Sequence, residues 1–428
     1  MDGAPATSLP GLTTDVKIVH TADLHIGMEA HGPLNPQTGL PRRLEDFLAA
    51  LDSIVDAAIA EAADLVVMAG DIYKSREPTP THQRLFARRV FRLVRAGIPV
   101  FLLAGNHDIP NALSRATSIE IFRTLEVPGM TVGYQPDVFE ISTAHGPVLI
   151  AALPWMSRSS VLAHDEYRGL TAQELELQLS ELIIETVDDL VIEVESRRSD
   201  PRLKDAPAIL VAHLHALEAR DGAERMLTVG TDPLVPINRI ARDVFDYVAL
   251  GHIHAHQVLL HRPPALYPGS IERVNFGEER EEKGFVVADV ARGRAEFEFR
   301  PLAARRFVTI DVNAPTDDPT EATLHRIERR QDEIADAVVR VRVKLSAQNQ
   351  ALFDEARIRT ALTDAFWVAE IQRDVERPVR TRLAGTIVEG KRPAELLEDY
   401  FSQKGVPDDE RARLRAYAQR LLTARDQA

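Results

Sequence analysis

Histidine, aspartate and asparagine residues recur in short motifs, each directly after an apolar run. Along the chain these motifs are Asp23-Leu24-His25, Gly70-Asp71, Gly105-Asn106-His107-Asp108, His213 and Gly251-His252-Ile253-His254. Carboxylate, amide and imidazole groups without thiolate suit manganese, iron or zinc. Two such ions about 3.5–4 Å apart can activate water for the hydrolysis of phosphate esters. The sequence therefore predicts a two-metal phosphoesterase site.

Seven side chains in these motifs are predicted to bind the two ions. Asp71 is the predicted bridge, because the two oxygens of one carboxylate can contact both ions. The other six divide into two groups of three: Asp23, His25 and His254 for the first ion, and Asn106, His213 and His252 for the second. Any one of these motifs could be a turn, a cap or an ordinary loop. Only the ordered set of five favours a metal centre.

Two residues that follow Asn106 are predicted to act in catalysis rather than in metal binding. His107 is expected to protonate the leaving oxygen or to stabilise the transition state. Asp108 is expected to fix the tautomer of His107 through a hydrogen bond. One ligand position has two candidates, because Ala212-His213-Leu214-His215 contains two histidines. His213 is preferred, since it comes first after the apolar strand.

An alternation of strands and helices is predicted to position the first three motifs. Residues 16–20, 64–69 and 98–103 are apolar runs of strand length, and residues 41–63 and 81–96 have helical periodicity. This rhythm predicts an α/β fold with parallel strands. The motifs then lie at the carboxyl ends of strands, where open α/β sheets place their sites.

The glycines of three motifs are predicted to shape the backbone at these strand ends. Gly70, Gly105 and Gly251 are expected to let the chain turn sharply, because glycine has no Cβ in the way. Further strands are predicted at residues 147–153, 208–212 and 244–250. A long amphipathic helix is predicted at 171–195, and β structure from 257 to about 300.

Predicted boundaries near Pro301 and Glu389 divide the chain into three domains at residues 1–300, 301–388 and 389–428. The second domain is predicted to be a small α+β unit with strands at 306–312, 337–345 and 366–371 and helices at 321–334 and 355–365. The last is predicted to form helices at 393–404 and 408–424. Because helices this short do not fold alone, they either pack on the preceding domain or dock on a partner such as a coiled coil.

Composition limits the class of protein. The chain has 428 residues, no cysteine and a net charge of −14. Disulfides, thiolate zinc sites and a cysteine nucleophile are excluded. The acidic N-terminal residues do not resemble a secretory signal and no apolar run could span a bilayer, so we expect a soluble, cytoplasmic protein with no membrane contact. The negative charge counts against non-specific coating of nucleic acid, but not against a nuclease.

Several basic side chains are candidates for contact with a phosphate backbone. Arg84, Arg88 and Arg92 lie at four-residue spacing on one stripe of the helix predicted at 81–96. This stripe is either a DNA footprint or a solvated helix face paired with acids elsewhere. His31 lies in the loop after the first motif and could also reach substrate.

The motifs together resemble those of the SbcD-type DNA repair nucleases in the calcineurin-like metallophosphoesterase superfamily. The resemblance covers residues 18 to about 290. It is carried by HTADLHIG (residues 20–27), AGDIY (69–73), GNHD (105–108), DYVALGHIH (246–254), YPGS (267–270), and the stretch from NFGEE (275–279) to KGF (283–285).

The resemblance implies a four-layer αββα sandwich and a dimanganese site. It implies ATP-independent endonuclease and ATP-assisted 3′→5′ exonuclease action on DNA ends and hairpins. It also implies a homodimer bound to an SMC-like ATPase of the SbcC type. A capping domain that helps to hold DNA would correspond to residues 301–388. A helical segment that binds the ATPase would correspond to residues 389–428.

One departure from the family pattern concerns Lys74, where archaeal relatives often carry histidine. The departure affects the expected balance of exonuclease and endonuclease activity rather than metal binding, and it makes Lys74 a candidate DNA contact. Two other functions stay open: a phosphodiesterase for small nucleotides, and a non-catalytic scaffold that binds DNA ends. A phosphoprotein phosphatase is disfavoured, because Ile72-Tyr73-Lys74-Ser75 follows Asp71 in place of the expected x-x-Asp-Arg-Gly.

Overall fold

The computed structural model describes residues 15–110, 115–157, 170–220, 232–314, 318–376 and 393–425. Within these ranges the chain divides into two compact units. The larger contains the described residues of Met1–Val312, Thr320–Val343 and Asp354–Gln372. The smaller contains those of Asn313–Pro319, Lys344–Phe353 and Arg373–Ala428. The three predicted domains stay a prediction.

The first part of the larger unit alternates strands with helices, as predicted. Its elements are β1 (Val16–Thr21), α1 (Arg42–Ala60), β2 (Leu65–Met68), α2 (Pro80–Arg95), β3 (Val100–Leu103), α3 (Glu120–Thr124), β4 (Met130–Gly133), β5 (Asp137–Thr143), β6 (Gly146–Leu153) and α4 (Ala172–Arg197). Helix α1 buries the apolar stripe that recurs every three or four residues from Leu44 to Ala58. Helix α4 begins at a capping box made by Thr171 and Glu174.

Strands dominate the chain after α4. The elements are β7 (Ala208–His213), β8 (His215–Ala216), β9 (Leu234–Val235), α5 (Ile237–Ile240), β10 (Tyr247–Gly251), β11 (Gln257–His261), β12 (Pro264–Tyr267), β13 (Gly284–Ala291) and β14 (Arg294–Pro301). They are followed by β15 (Phe307–Ala314), α6 (Pro319–Glu328), α7 (Gln331–Ile334), β16 (Val338–Ser346), α8 (Glu355–Ala361), β17 (Trp367–Glu376), α9 (Pro393–Gln403) and α10 (Asp408–Arg425).

Two six-stranded sheets form the centre of the described structure. The first has the order β14-β13-β1-β2-β3-β4, with β1 to β4 parallel. The second has the order β11-β12-β10-β7-β6-β5, with β12, β10, β7 and β6 parallel. A smaller sheet pairs β15, β16 and β17.

The two large sheets pack face to face. Ile18 and Val67 of the first sheet share one buried apolar cluster with Val211 and Ala249 of the second. The opposite face of the first sheet packs on α1 and α2, and that of the second sheet packs on α4. These layers form an αββα sandwich, which confirms the predicted fold class.

The predicted helix at 321–334 is two helices, because the backbone leaves the helical region at Arg330, where φ is −121°. The helix predicted at 355–365 ends at Ala361. No helix among the described residues is long and apolar enough to cross a membrane.

Candidate metal centre

The ends of five strands bring the predicted motifs together at one edge of the sandwich. Asp23, Asp71 and Asn106 follow β1, β2 and β3 of the first sheet, whereas His213 and His252 lie at the ends of β7 and β10 in the second. The loops after β1 and β2 continue side by side, since the N–H groups of Asp23 and His25 donate to the carbonyls of Gly70 and Asp71 at 3.1 and 3.0 Å. Parallel pairing therefore sets the spacing of the first motifs.

The backbone is strained at four of the seven proposed ligands. The φ angles are +52° at Asp23, +43° at His25, +51° at Asp71 and +107° at His252. Side chains with a Cβ rarely adopt this left-handed region, and each instance costs on the order of 1–3 kcal/mol. Such strain collects at functional sites, where the surrounding structure enforces it.

Asp71 lies between two groups of ligand atoms. Its Oδ2 is 3.8 Å from Nε2 of His25, which is 3.0 Å from Nε2 of His254. Ligand atoms of Asp23, His25 and His254 all lie within 4.8 Å of one another. These side chains are almost fully buried. This group is the one predicted for the first ion.

The second group faces the other oxygen of Asp71. Nε2 of His213 lies 3.5 Å from Oδ1 of Asp71 and 3.0 Å from Oδ1 of Asn106. Nδ1 of His252 lies 3.1 Å from the same amide oxygen. The two oxygens of Asp71 thus face different ligand groups, which is the arrangement expected of a bridging carboxylate.

Two of the four candidate histidine ligands are in the neutral form that suits divalent cations. Burial lowers the pKa of His25 well below its usual value, and it lowers the pKa of His213 to about 4 despite the charge of Asp71. Both imidazoles are therefore neutral, the form that binds metals. Burial raises the pKa of Asp23 to about 7, and the charge of Asp71 adds to this effect. A cation placed between these carboxylates would offset both the burial and the repulsion.

Outer groups fix the rings of three candidate ligands. Oε1 of Glu278 lies 2.9 Å from Nδ1 of His254, and Oδ2 of Asp232 lies 3.2 Å from Nε2 of His252. Nδ1 of His213 donates to the carbonyl of Ala69 at 2.8 Å. Each contact holds the second ring nitrogen and leaves the first one facing the centre. Sequence reasoning missed both carboxylates: Glu278 lies inside the NFGEE motif without an assigned role, and Asp232 gave no signal.

His107 lies at the mouth of the centre, with 31% of its side chain exposed. Its backbone N–H donates to Oδ1 of Asp71 at 2.8 Å, and its Nδ1 lies 2.8 Å from the carbonyl of Lys74. Nε2 lies 4.0 Å from Oδ2 of Asp71. Burial lowers the pKa of His107, and the charge of Asp71 partly opposes this shift.

The predicted role of Asp108 is wrong. Its carboxylate is fully buried and accepts hydrogen bonds from the N–H groups of Ile72, Tyr73 and Gly105 and from the hydroxyl of Ser118. These donors occupy both oxygens, and the carbonyl of Lys74 orients His107 instead. Asp108 therefore fixes the loops after β2 and β3 to each other.

The structure separates the two histidines of residues 213–215. His213 contacts Asp71 and Asn106, whereas the ring of His215 lies beside that of His252, with centroids 5.8 Å apart. Ligand atoms of His215, Asp232 and His252 lie within 4.8 Å of one another. His215 thus lies beside His252 and Asp232 rather than in the group around Asp71.

Two glycines of the motifs are required for different reasons. Gly70 has a φ of +96°, and a Cβ there would lie 2.2 Å from Nδ1 of His213. A Cβ on Gly251 would lie 1.9 Å from the carbonyl oxygen of Ala69. The sequence predicts a sharp turn at Gly251. The structure instead requires glycine there because β10 lies close to the backbone of Ala69 at the end of β2.

The candidate DNA contacts have different surroundings. Lys74 is half-buried, and burial lowers its pKa while Asp71 and Glu278 oppose the shift. His31 packs edge-on against Phe276 and Phe307, with centroids 5.9 and 6.0 Å apart.

The arginine stripe of α2 is partly neutralised. Arg92 donates to Asp52 at 3.0 Å and also to Asp56, both on α1. Of the two predicted alternatives, Arg92 therefore fits the helix face paired with acids rather than the DNA footprint. Arg84 and Arg88 are exposed and form no ion pair within the described ranges.

The chain is similar to proteins of known structure and matches one family model. The fold is similar to that of TT1561 from Thermus thermophilus, at 16% identity and a TM-score of 0.35 over 67% of this chain and 99% of that one. It is also similar to a dimetal phosphatase from Danio rerio, at 14% identity and a TM-score of 0.37 over 66% and 98%. The family model described as calcineurin-like phosphoesterase matches residues 16–256, the stretch that supplies all seven candidate ligands. The chain therefore belongs to the calcineurin-like phosphoesterase family and is a metal-dependent phosphoester hydrolase.

Proposed function

We propose that the protein is a manganese-dependent DNA nuclease that processes DNA ends and hairpins in double-strand-break repair. It acts as a 3′→5′ exonuclease and as an endonuclease on phosphodiester bonds. The observation that carries the hydrolytic part is the position of Asp71, whose two oxygens face two separate ligand groups at 3.8 and 3.5 Å. The choice of DNA as the substrate rests on the motifs shared with the SbcD-type nucleases.

Different residues of the chain have different roles in the proposed hydrolysis. Two divalent ions held by Asp23, His25, Asp71, Asn106, His213, His252 and His254 would supply activated water and neutralise phosphate oxygens. Glu278 and Asp232 hold the rings of His254 and His252 in the orientation that this requires.

His107 is the proposed proton donor to the leaving oxygen. The carbonyl of Lys74 fixes its Nδ1, so Nε2 is the nitrogen that can reach a substrate at the mouth of the centre. Because burial lowers the pKa of this ring, its protonated form gives up a proton readily once it has formed.

The partners follow from the same proposal. The protein would act as a homodimer, and residues 389–428 would bind an SMC-like ATPase of the SbcC type. Within this segment, α9 exposes Tyr400 and α10 exposes Leu414 and Tyr417. Deletion of residues 389–428 should abolish binding to the ATPase in a pull-down and leave manganese-dependent cleavage intact. Normal ATPase binding by the deletion variant would contradict this assignment.

The proposed activity can be tested on end-labelled duplex and hairpin DNA with manganese. We expect the wild-type protein to degrade both substrates, and Asp71→Ala and His107→Ala to reduce the rate by at least about 100-fold, the scale of a lost general acid. His261→Ala is the matched control, because His261 is exposed at the end of β11 and belongs to neither ligand group.

Other outcomes would favour the alternatives. Hydrolysis of bis(p-nitrophenyl) phosphate and small nucleotides without cleavage of DNA would favour a small-molecule phosphodiesterase. Binding of DNA ends without hydrolysis of any substrate would contradict the enzymatic assignment and favour a scaffold.

A further inference from the structure

A cavity of about 710 Å³ in the larger unit has walls rich in arginine. Its walls are the turn at residues 273–280, strands β15 and β16, and helices α6 and α7. Among the described residues, seven arginines and three carboxylates line it. The chain as a whole carries a net charge of −14. A local excess of positive charge in an acidic protein needs a counter-charge, because neighbouring guanidinium groups repel one another.

The three carboxylates of this arginine cavity are already engaged. Asp311 accepts two hydrogen bonds from Arg342 at 2.7 and 2.8 Å. Glu333 accepts from Arg330 at 2.6 Å, and Glu279 accepts from the backbone N–H of Thr309 at 3.0 Å. The contacts of Glu279 and Asp311 tie the turn to β15 and β15 to β16. Within the described ranges, no carboxylate that lines the cavity accepts a hydrogen bond from Arg273, Arg280, Arg306, Arg326 or Arg340.

Three arginines offer unused donors. The side chains of Arg280 and Arg326 are exposed and form no hydrogen bond or ion pair among the residues that the structure describes. The guanidinium of Arg340 stacks 4.3 Å from the ring centre of Phe276 and donates one hydrogen bond to the hydroxyl of Thr309. Its Nε is buried and has no partner within the described ranges. A buried N–H without a partner is costly, so a ligand oxygen at this position would be favourable.

We infer that the arginine cavity binds phosphate groups of the substrate strand, outside the metal centre. Planar guanidinium groups match the oxygens of phosphate and can bind them in pairs. The cavity is also within the volume range of ordinary ligand sites, about 300–1,000 Å³. The identification of a DNA strand as the source of these phosphate groups rests on the proposed function. A free polyphosphate has the same chemistry.

The turn at residues 273–280 connects this cavity to the metal centre. Glu278 orients His254, and the next two residues, Glu279 and Arg280, line the cavity. Arg273 stabilises the turn by donating to the carbonyls of Glu278 and Glu281 at 3.2 and 2.6 Å. Arg280 follows Glu278 by two residues, and Glu278 orients His254, a candidate metal ligand. A DNA strand bound by Arg280 would therefore contact the same turn that positions this ligand.

The double variant Arg280→Gln/Arg326→Gln tests this inference. We would measure binding of a fluorescein-labelled duplex by anisotropy at several salt concentrations in the absence of divalent metal. Each lost arginine–phosphate contact should lower the magnitude of the slope of log K against log salt by about 0.9, so the double variant should lose about two. Arg329→Gln is the matched control, since Arg329 is exposed beside the same helix and does not line the cavity.

Two further measurements separate the possible ligands and functions. Inorganic tripolyphosphate would be titrated calorimetrically, and hydrolysis of bis(p-nitrophenyl) phosphate with manganese would report on the metal centre. Loss of tripolyphosphate binding with an unchanged duplex slope would support the cavity with a free polyphosphate as its ligand. Unchanged binding of both probes by the double variant would overturn the inference. If the wild-type protein hydrolyses nothing and the double variant still binds duplex more weakly, the proposed function fails and the cavity stands.

Discussion

Replacement of Glu278 by glutamine tests whether an outer carboxylate sets the affinity of the metal centre. Glu278 lies 2.9 Å from Nδ1 of His254 and 2.7 Å from Nζ of Lys283, and all three side chains are buried. The carboxylate holds the proton on Nδ1, which leaves Nε2 as the nitrogen that would face a metal ion. Glutamine keeps the volume of the side chain and removes the charge.

The expected loss of manganese affinity is 10- to 100-fold, the usual effect of removing an outer partner of a ligating histidine. This corresponds to about 1.4–2.8 kcal/mol of binding free energy. The folded protein should also lose stability, because Lys283 loses one buried partner. Lys283 keeps Glu281 at 2.7 Å and Ser270 at 2.9 Å, so the cost should lie near the lower end of the roughly 3–5 kcal/mol typical of a broken buried ion pair.

The variant should also change the pH dependence of the metal-free protein. Burial lowers the pKa of His254, but the charge and hydrogen bond of Glu278 outweigh burial and raise it from 6.5 to about 9. A pKa raised in the folded state contributes stability that is complete below pH 6.5 and is lost as the pH rises through about 9. The wild-type protein should lose on the order of 3 kcal/mol across this window, and Glu278→Gln should lose much less.

Calorimetric titration with manganese and urea unfolding between pH 6 and 9 would measure these effects. Glu282→Gln is the matched control, because this neighbouring glutamate is exposed. The reasoning is refuted if Glu278→Gln binds manganese as tightly as the wild type and shows the same loss of stability with pH.

Two further substitutions test the loops around the centre. Asp108→Asn should lower the free energy of unfolding by about 2–3 kcal/mol, because an amide has one acceptor oxygen and leaves buried N–H groups without a partner. The pH profile of hydrolysis should stay the same, because Asp108 does not orient His107. A displaced profile would restore the role predicted for Asp108 from the sequence. Gly70→Ala should abolish manganese binding or folding, because its Cβ would lie 2.2 Å from His213. The control Gly146→Ala has a φ of +126° but open space, so it should fold and bind manganese and should cost only the roughly 1–3 kcal/mol of backbone strain, as measured by urea unfolding.

The layers of the fold could be predicted where periodicity was strong. The stripe of α1 and the apolar runs of β1, β2 and β3 each specify one element, and the strand–helix order specifies parallel pairing. The break of the helix predicted at 321–334 was not predictable from periodicity. At the break, the guanidinium of Arg330 donates to the carbonyl of Thr309 at 2.7 Å on a distant strand, a contact that periodicity does not show.

The convergence of the motif residues was predictable because the carboxyl ends of parallel strands share an edge. Their outer partners were not. Asp108 and Lys74 show the reason: a carboxylate beside a histidine in sequence suggests a pair, but the chain turns so that Asp108 points into the loops and the carbonyl of Lys74 reaches Nδ1 of His107. A backbone carbonyl carries no residue type, so no pattern in the sequence could have marked it.

The buried carboxylates and the positive φ angles of the metal-free centre oppose folding, so the centre needs the support of the two large sheets. Burial and the neighbouring charge of Asp71 both disfavour the ionised form of Asp23, and four ligand residues have a positive φ. These residues keep their positions only because the surrounding structure is rigid. The apolar clusters between the two sheets and under the helices on both sides provide that rigidity. Cations bound between Asp23 and Asp71 would relieve the electrostatic part of this cost, so their binding must stabilise the fold. Because the strain lies in the backbone and not in mobile side chains, the ligands are held in position before any substrate arrives.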